Sequence, residues 1–254
     1  LDVIVCYKIV PEEQDIAIKA DRTLSFDKVE WKLGQYDLPA VEAGVQLVET
    51  AGGKVTAVSV GNKQLDNSKF KKAILSRGPE EACLVVDDLL TDADAFQTAQ
   101  SLAKTISKKG AFDLVICGEG SSDLYAQQVG SQLGELLNVP AMNGISKITP
   151  GDGKITVERT LEEEVEILEI PLPAVISVTT DSYQPRIPSM KEILAAGKKP
   201  VTQWTLTDIA VSTEQPTQII STLAPPKADR KQIMVEGDSE DNINIFLEHL
   251  RKEL

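Results

Sequence analysis

The sequence predicts an α/β protein with an open, mostly parallel sheet, helices on both faces, an inserted hairpin and a C-terminal arm ending in an amphipathic helix. Three observations lead there. Short apolar runs bounded by turn residues recur at Val3–Val10, Val55–Val60, Ala82–Val86 and Leu114–Cys117. Between them lie segments with apolar residues at three- and four-residue spacing. The apolar load is aliphatic, with 42% hydrophobic residues but only 4% aromatic ones, which suits strands covered on both sides. Strand–helix alternation with short loops is the pattern of a parallel sheet with right-handed crossovers, of the Rossmann-like kind.

Taken in order, Leu1–Val5 carries no basic stretch and reads as the first strand rather than a signal peptide. Asp15–Phe26 interrupts the alternation, with Ile16–Ile18 and Thr23–Phe26 flanking Ala20-Asp21-Arg22 as a small inserted hairpin. Leu38, Val41, Val45 and Val48 form one helical stripe that stops at Gly52-Gly53, and Phe96, Ala99, Leu102, Ala103 and Ile106 form another before Gly110. Residues 154–178 hold three extended runs, read as a strand pair (Lys154–Thr160, Val165–Ile170) and a buried strand returning to the main sheet (Ala174–Val178). A single nucleotide-binding domain is therefore expected over residues 1–198. Residues 199–254 are expected to be an arm with few core positions, ending in a helix on Ile243, Phe246, Leu247 and Leu250 that Ser239 or Asp241 could cap. Such an arm needs a surface to bury against, either its own domain or another subunit.

The net charge of −13 disfavours nucleic acid and anionic membranes as partners. No apolar run is long enough to span a bilayer, so no membrane insertion is expected. Cys6, Cys83 and Cys117 are odd in number, lack CxxC spacing and sit in apolar runs. They read as packing residues in a cytoplasmic protein, with no metal site.

Chemistry is expected in Cys117–Gly130, where an apolar strand feeds the Gly/Ser-rich loop Gly118-Glu119-Gly120-Ser121-Ser122-Asp123 and a helix read as Tyr125–Leu137. A helix start offers free N–H groups and partial positive charge to phosphate, glycines allow close backbone approach, and Asp123 could be the N-cap. The same loop could merely turn the chain. In open parallel sheets ligands lie at the carboxyl ends of strands. Cys6-Tyr7-Lys8, Ser59-Val60-Gly61 and Gly118–Asp123 are all such ends, with Gly34-Gln35-Tyr36-Asp37 just before a helix. Neither GxGxxG nor GxxxxGK[ST] is present. The lone histidine, His249, lies on the last predicted helix and supports no catalytic triad. The acidic run Glu162–Glu164 reads as a solvated turn. A nucleotide crevice without a resident acid, base or nucleophile points to a carrier, so no catalytic residue is assigned.

The stretch Val157-x-Arg159-x-x-Glu162-Glu163-Glu164-x-Glu166-x-Leu168, followed by Pro173–Thr179, resembles the signature of electron-transfer flavoprotein β subunits. Val5-Cys6-Tyr7-Lys8-x-Val10-Pro11 is similar to that family's first strand, and Gln128-Val129-Gly130 to its Gly-Gln-Val-Gly segment. The resemblance spans residues 2 to about 200. It implies pairing with an α subunit that holds the electron-carrying FAD, and an adenine-nucleotide site in this chain. That site would comprise Cys6, Lys8, Gly34, Tyr36, Asp37, Ser59, Val60, Gly118, Gly120, Ser121, Asp123, Tyr125, Ala126, Gln127, Gln128 and Val129. In ordinary members the nucleotide is AMP; in flavin-bifurcating members it is a second FAD reduced by NADH. Gly34-Gln35-Tyr36-Asp37 replaces the usual Asn-Pro-Phe-Asp, and Asp37-Leu38-x-Ala40-Val41-Glu42-Ala43 with Gly118-Glu119-Gly120-Ser121 resembles the branch from anaerobes and nitrogen fixers, which favours FAD. Tyr183-Gln184-Pro185-Arg186-Ile187-Pro188-Ser189-Met190 resembles the family's recognition loop. It implies docking of an acyl-CoA or other flavin dehydrogenase through Tyr183, Arg186, Ile187, Pro188 and Met190, with ferredoxin or flavodoxin as the low-potential acceptor if electrons are bifurcated. Two rivals remain from the residues alone. One is a non-redox nucleotide-binding regulator; the other is an ATP-cleaving ligase, for which Ser121-Ser122-Asp123 lacks the SGGxDS glycines and the lysine.

Overall fold

A computed structural model describes residues 1–211, 217, 219–227 and 231–253. The part of the expected arm at 212–216, 218, 228–230 and 254 lies outside the described residues. In chain order the elements are β1 (Asp2–Cys6), β2 (Ile9–Pro11), β3 (Ala17–Ile18), β4 (Leu24–Ser25), β5 (Trp31–Leu33), α1 (Asp37–Ala51), β6 (Lys54–Gly61) and α2 (Ser68–Leu75). There follow β7 (Glu81–Val86), α3 (Ala95–Lys109), β8 (Leu114–Gly118), α4 (Val129–Leu137), β9 (Ala141–Pro150), β10 (Lys154–Thr160) and β11 (Val165–Pro171). The rest are β12 (Ala174–Val178), α5 (Met190–Ala196), β13 (Val201–Trp204) and α6 (Glu240–Arg251).

Nine strands form one sheet in the order β11-β10-β9-β12-β8-β1-β6-β7-β13. Pairing is parallel from β9 through β13, and only the β9-β10-β11 end is antiparallel. The alternation of strand side chains sorts the core into two faces. Val3, Val5 and Tyr7 pack with α1, α2 and α5, whereas Ile4 and Cys6 pack with Leu102 and Ile106 of α3 and Leu133 of α4. Both faces are thus covered, which is why the central strands read as continuous apolar runs.

Local signals set the helix ends. The Asp94 side chain accepts from Gln97 N–H at the start of α3, and Gly110 terminates it. Ser189 and Glu192 form a reciprocal capping box on α5. The small hairpin is present as β3 and β4, and the strand pair and buried return strand as β10, β11 and β12. Beyond residue 199 the chain has more core positions than its composition suggests. β13 adds a parallel edge strand beside β7, and Leu206, Ile209 and Val211 bury against Val85 and Leu90.

Two compact units are distinguished: Leu1–Ala17 with Ser25–Ser221, and Ile18–Leu24 with Thr222–Leu254. In the second, Thr23 bridges Leu223 and Ala224 N–H donates to the Arg22 carbonyl. Its helix α6 is capped by Ser239 and buries none of its residues. No helix among the described residues is long and apolar enough to cross a membrane.

Candidate functional site

The strand order creates the site. From β1 the chain steps outward to β6 and β7, then returns to the other side of β1 as β8. That reversal between β1 and β8 is a topological switch point, where the loops leave in opposite directions and open a crevice at the carboxyl ends. The three strand ends expected to converge, after Cys6, Ser59–Gly61 and Gly118, belong to adjacent strands and face the same edge.

Lys8 ties this edge together. Its Nζ lies 2.5 Å from Asp123 Oδ2, joining the loop after β1 to the loop after β8. Its backbone N–H donates to Asp37 Oδ2 at 2.7 Å, and its carbonyl accepts from Gly34 N–H at 2.8 Å. Asp37, in the first turn of α1, is buried with its carboxyl wedged between the ends of β1 and β8. Burial raises its pKa to about 7, with Asp123 adding to the rise and the Lys8 N–H and charge opposing it. Burial also acts to raise Asp123, but the charge and hydrogen bond of Lys8, together with Ser121 and Leu124 N–H, hold it below the usual carboxylate range.

Glycines make the close approach of these segments possible. A side chain at Gly118 would run into the Tyr36 carbonyl, and one at Gly34 into the Asp37 carboxylate. Gly120 lies under the ring of Tyr125, which pairs with Tyr36 at a centroid distance of 5.2 Å. Ser59 is buried and structural, since its Oγ donates to the Tyr7 carbonyl at 2.6 Å. Cys6 is buried against Cys117, and a hydrogen bond between the two thiols, with burial, raises the Cys6 pKa. Val60 is half-buried at the end of β6.

The expected helix start is corrected. The helix begins at Val129, not Tyr125, and Asp123 is not its N-cap. The physical reason is the backbone: Tyr125 and Gln127 have φ of 45° and 55°, a left-handed conformation that a right-handed helix cannot include. Asp123 instead accepts from Ser121 Oγ at 2.5 Å and from its neighbour Leu124 N–H at 2.9 Å. Tyr125, Ala126, Gln127 and Gln128 form an exposed, irregular approach to α4, whose N-cap Gln128 supplies no side-chain hydrogen bond. The uncapped first turn of α4 thus presents N–H groups four residues later than expected.

Two features escaped the sequence. The hydroxyls of Ser122, in the β8–α4 loop, and Thr179, just past the end of β12, are buried without a protein partner. Orphan hydroxyls beside an uncapped helix start, a lysine and close-packed glycines fit an anion-bearing ligand with further polar groups. The sole lysine of this set is already paired, so backbone N–H groups would carry much of a phosphate's charge.

Residues 183–190 are divided in two by their contacts. Tyr183 is half-buried, and its hydroxyl accepts from Ile148 N–H at 2.9 Å. Arg186 is bound to α1, with Nε 2.8 Å from Glu42 Oε2 and Nη1 2.8 Å from Glu49 Oε1. Burial tends to raise the Glu42 pKa, but Arg186 and Gln46 keep it low. Ile187, by contrast, is 93% exposed, and Met190 and Leu194 are each 71% exposed. Pro188 stands between them at the foot of the capped helix α5.

The nine-stranded, mostly parallel sheet with its switch point between β1 and β8 defines a Rossmann-like α/β protein. The family model for the electron transfer flavoprotein domain matches residues 22–209, well over half of the chain. The chain belongs to that family, and electron transfer with a flavin is the activity the family implies.

Proposed function

We propose that this chain is the β-type subunit of an electron-transfer flavoprotein heterodimer and holds an adenine nucleotide in the crevice between β1 and β8. The observation that carries this reading is the joining of Lys8, Asp123, Asp37 and the glycine-lined loop at the switch point, beside unpartnered hydroxyls and an uncapped helix start. Phosphate would rest on the N–H groups around Ala126–Val129 with Lys8 nearby, and Ser122 and Thr179 would offer hydrogen bonds to the rest of the nucleotide. The flavin supplies the electron chemistry. This chain's residues bind, orient and screen the cofactor.

The occupant we favour is FAD, because Asp37–Ala43 and Gly118–Ser121 resemble the bifurcating branch; AMP is the alternative. On that reading the complex takes hydride from NADH and serves an acyl-CoA or other flavin dehydrogenase and a ferredoxin or flavodoxin. Residues 1–198 act as the nucleotide domain, whose edge β13 and Leu206, Ile209 and Val211 complete, and the rest of 199–254 acts as an arm on the α subunit, in the cytoplasm. The unburied apolar face of α6 is consistent with an arm that meets its partner outside this chain. Dehydrogenase docking falls to the exposed ridge of Ile187, Met190 and Leu194, with Tyr183 and Arg186 anchoring the loop rather than meeting the partner.

The test is co-purification with an α subunit and extraction of the nucleotides. Two FAD per heterodimer is expected. One FAD and one AMP would end the bifurcating version and keep the carrier role, and a heterodimer with no nucleotide bound to this chain would overturn the reading.

A further inference from the structure

Asp37 is an unusual group for a place where a negatively charged ligand would bind. Its side chain is buried, and it fills the gap between the two strand ends that define the crevice. One carboxylate oxygen takes the Lys8 N–H at 2.7 Å. The other lies 2.9 Å from where a side chain on Gly118 would start. The charged groups acting on it are Lys8 and Asp123, and it in turn acts on the thiol of Cys6. Lys8 cannot fully neutralise it, because Nζ is committed to Asp123 at 2.5 Å. The site thus contains two carboxylates and one ammonium before any ligand arrives.

We infer that nucleotide binding is coupled to protonation of Asp37: an anionic nucleotide entering the crevice drives one proton from solvent onto this carboxylate. The inference rests on the reading of the crevice as a nucleotide site. A phosphate drawn to Lys8 and the nearby N–H groups adds negative charge beside a carboxylate already deprived of water, and like charge favours the neutral form. Protonation relieves the repulsion without moving the fold, because a neutral carboxyl can still accept the Lys8 N–H through its carbonyl oxygen. The free group titrates near neutrality. It is therefore mostly protonated about a unit below pH 7 and has little to take up there. About a unit above pH 7 it is mostly ionised, and binding must protonate it. Asp37 so acts as a residue that sets affinity through its charge state, and the nucleotide binds more weakly as the pH rises.

Calorimetric titration of the full-length chain with AMP tests this. It would be run at about pH 6, 7 and 8, in pairs of phosphate-free buffers of different ionisation enthalpy, on the wild type and Asp37→Asn. The phosphate of AMP titrates near pH 6 itself, so the difference between the two proteins isolates the Asp37 contribution. The expected difference in proton uptake is near zero at the lowest pH and approaches about one proton at the highest. Wild-type affinity should fall relative to the variant by up to about tenfold between pH 7 and 8. Equal proton uptake by both proteins would overturn the inference and leave the nucleotide reading standing. Failure of AMP to bind either protein would overturn both. If Asp37→Asn does not fold, infrared difference spectra of the wild type near pH 8 decide instead: a protonated-carboxyl band should grow on adding AMP, and its absence would overturn the coupling.

Discussion

The crevice and the ridge of Ile187, Met190 and Leu194 use opposite physical means. In the crevice a charged group, Asp37, is buried, and its neighbours are held by specific hydrogen bonds from Lys8 and Gly34. On the ridge apolar groups are exposed, and the order lies beneath them, in Arg186 on Glu42 and Glu49 and in the Ser189–Glu192 capping box. Buried charge selects a small ligand by the hydrogen bonds and charge it needs. Exposed apolar groups on a fixed scaffold gain free energy only when a large surface covers them. Substitutions in the first region should therefore act on stability and pH dependence, and those in the second on association.

The largest expected effect is at Asp37. Its folded pKa of about 7 lies above the 3.8 of an ordinary aspartate. The folded protein holds a proton that the unfolded chain releases between those values. Its contribution is thus fully present below the unfolded pKa and is lost as pH rises through the folded one. Between those two values the loss amounts to up to about 4 kcal/mol. Denaturant unfolding from about pH 4 to 8 should show the wild type losing stability relative to Asp37→Asn. Parallel curves for the two proteins would show that the buried carboxyl is not the stressed group of the crevice.

Next is Arg186→Leu. Glu42 is buried, and removing its partner leaves an uncompensated charge, for a cost of about 3 kcal/mol. This variant joins the two kinds of behaviour, since Arg186 anchors the ridge through a buried partner. It should lower thermal stability and loosen the loop, and a second change, Glu42→Gln, should recover part of the loss. Ile187→Asp ranks third. With 93% of the side chain exposed, folding should be unaffected, while electron transfer to a partner dehydrogenase should fall roughly 30-fold, the scale of about 2 kcal/mol at an interface anchor. Unchanged dehydrogenase coupling with normal nucleotide content would show that the ridge is not where the partner docks.

The same contrast explains what the sequence disclosed. The continuous apolar runs at Val3–Cys6 and Leu114–Cys117 announce buried strands, because both faces of the sheet are covered there. Ser239, one of the two caps expected for the last helix, is its N-cap, and it was readable because capping is local. β9 was not legible: its ten residues contain Gly144 and Pro150, and Ile145 alone among them is fully buried. β13 is an edge strand without a buried residue, so its composition resembles an arm. At the crevice, residue types and strand ends were readable. The late start of α4 was not, because Tyr125 and Gln127 adopt positive φ without being glycine. Nor was the Lys8–Asp123 contact, since 115 residues separate its partners. Local chemistry is written in neighbouring letters, whereas pairing across the sheet depends on topology.

The smallest expected effect on folding is also the one that separates steering from structure within the crevice. The Lys8 side chain is 43% exposed and that of Asp123 22%, so solvent screens the pair and its contribution should be below about 1 kcal/mol. Lys8→Met should hardly shift the melting temperature. Asp123, freed from its lysine, would repel an incoming phosphate, so AMP affinity should drop by about tenfold and lose part of its salt dependence. Lys8→Met with Asp123→Asn should restore some of that affinity by removing the repulsion. If the double variant binds no better than Lys8→Met, Asp123 does not face the ligand, and the lysine acts through the backbone that it positions over Asp37.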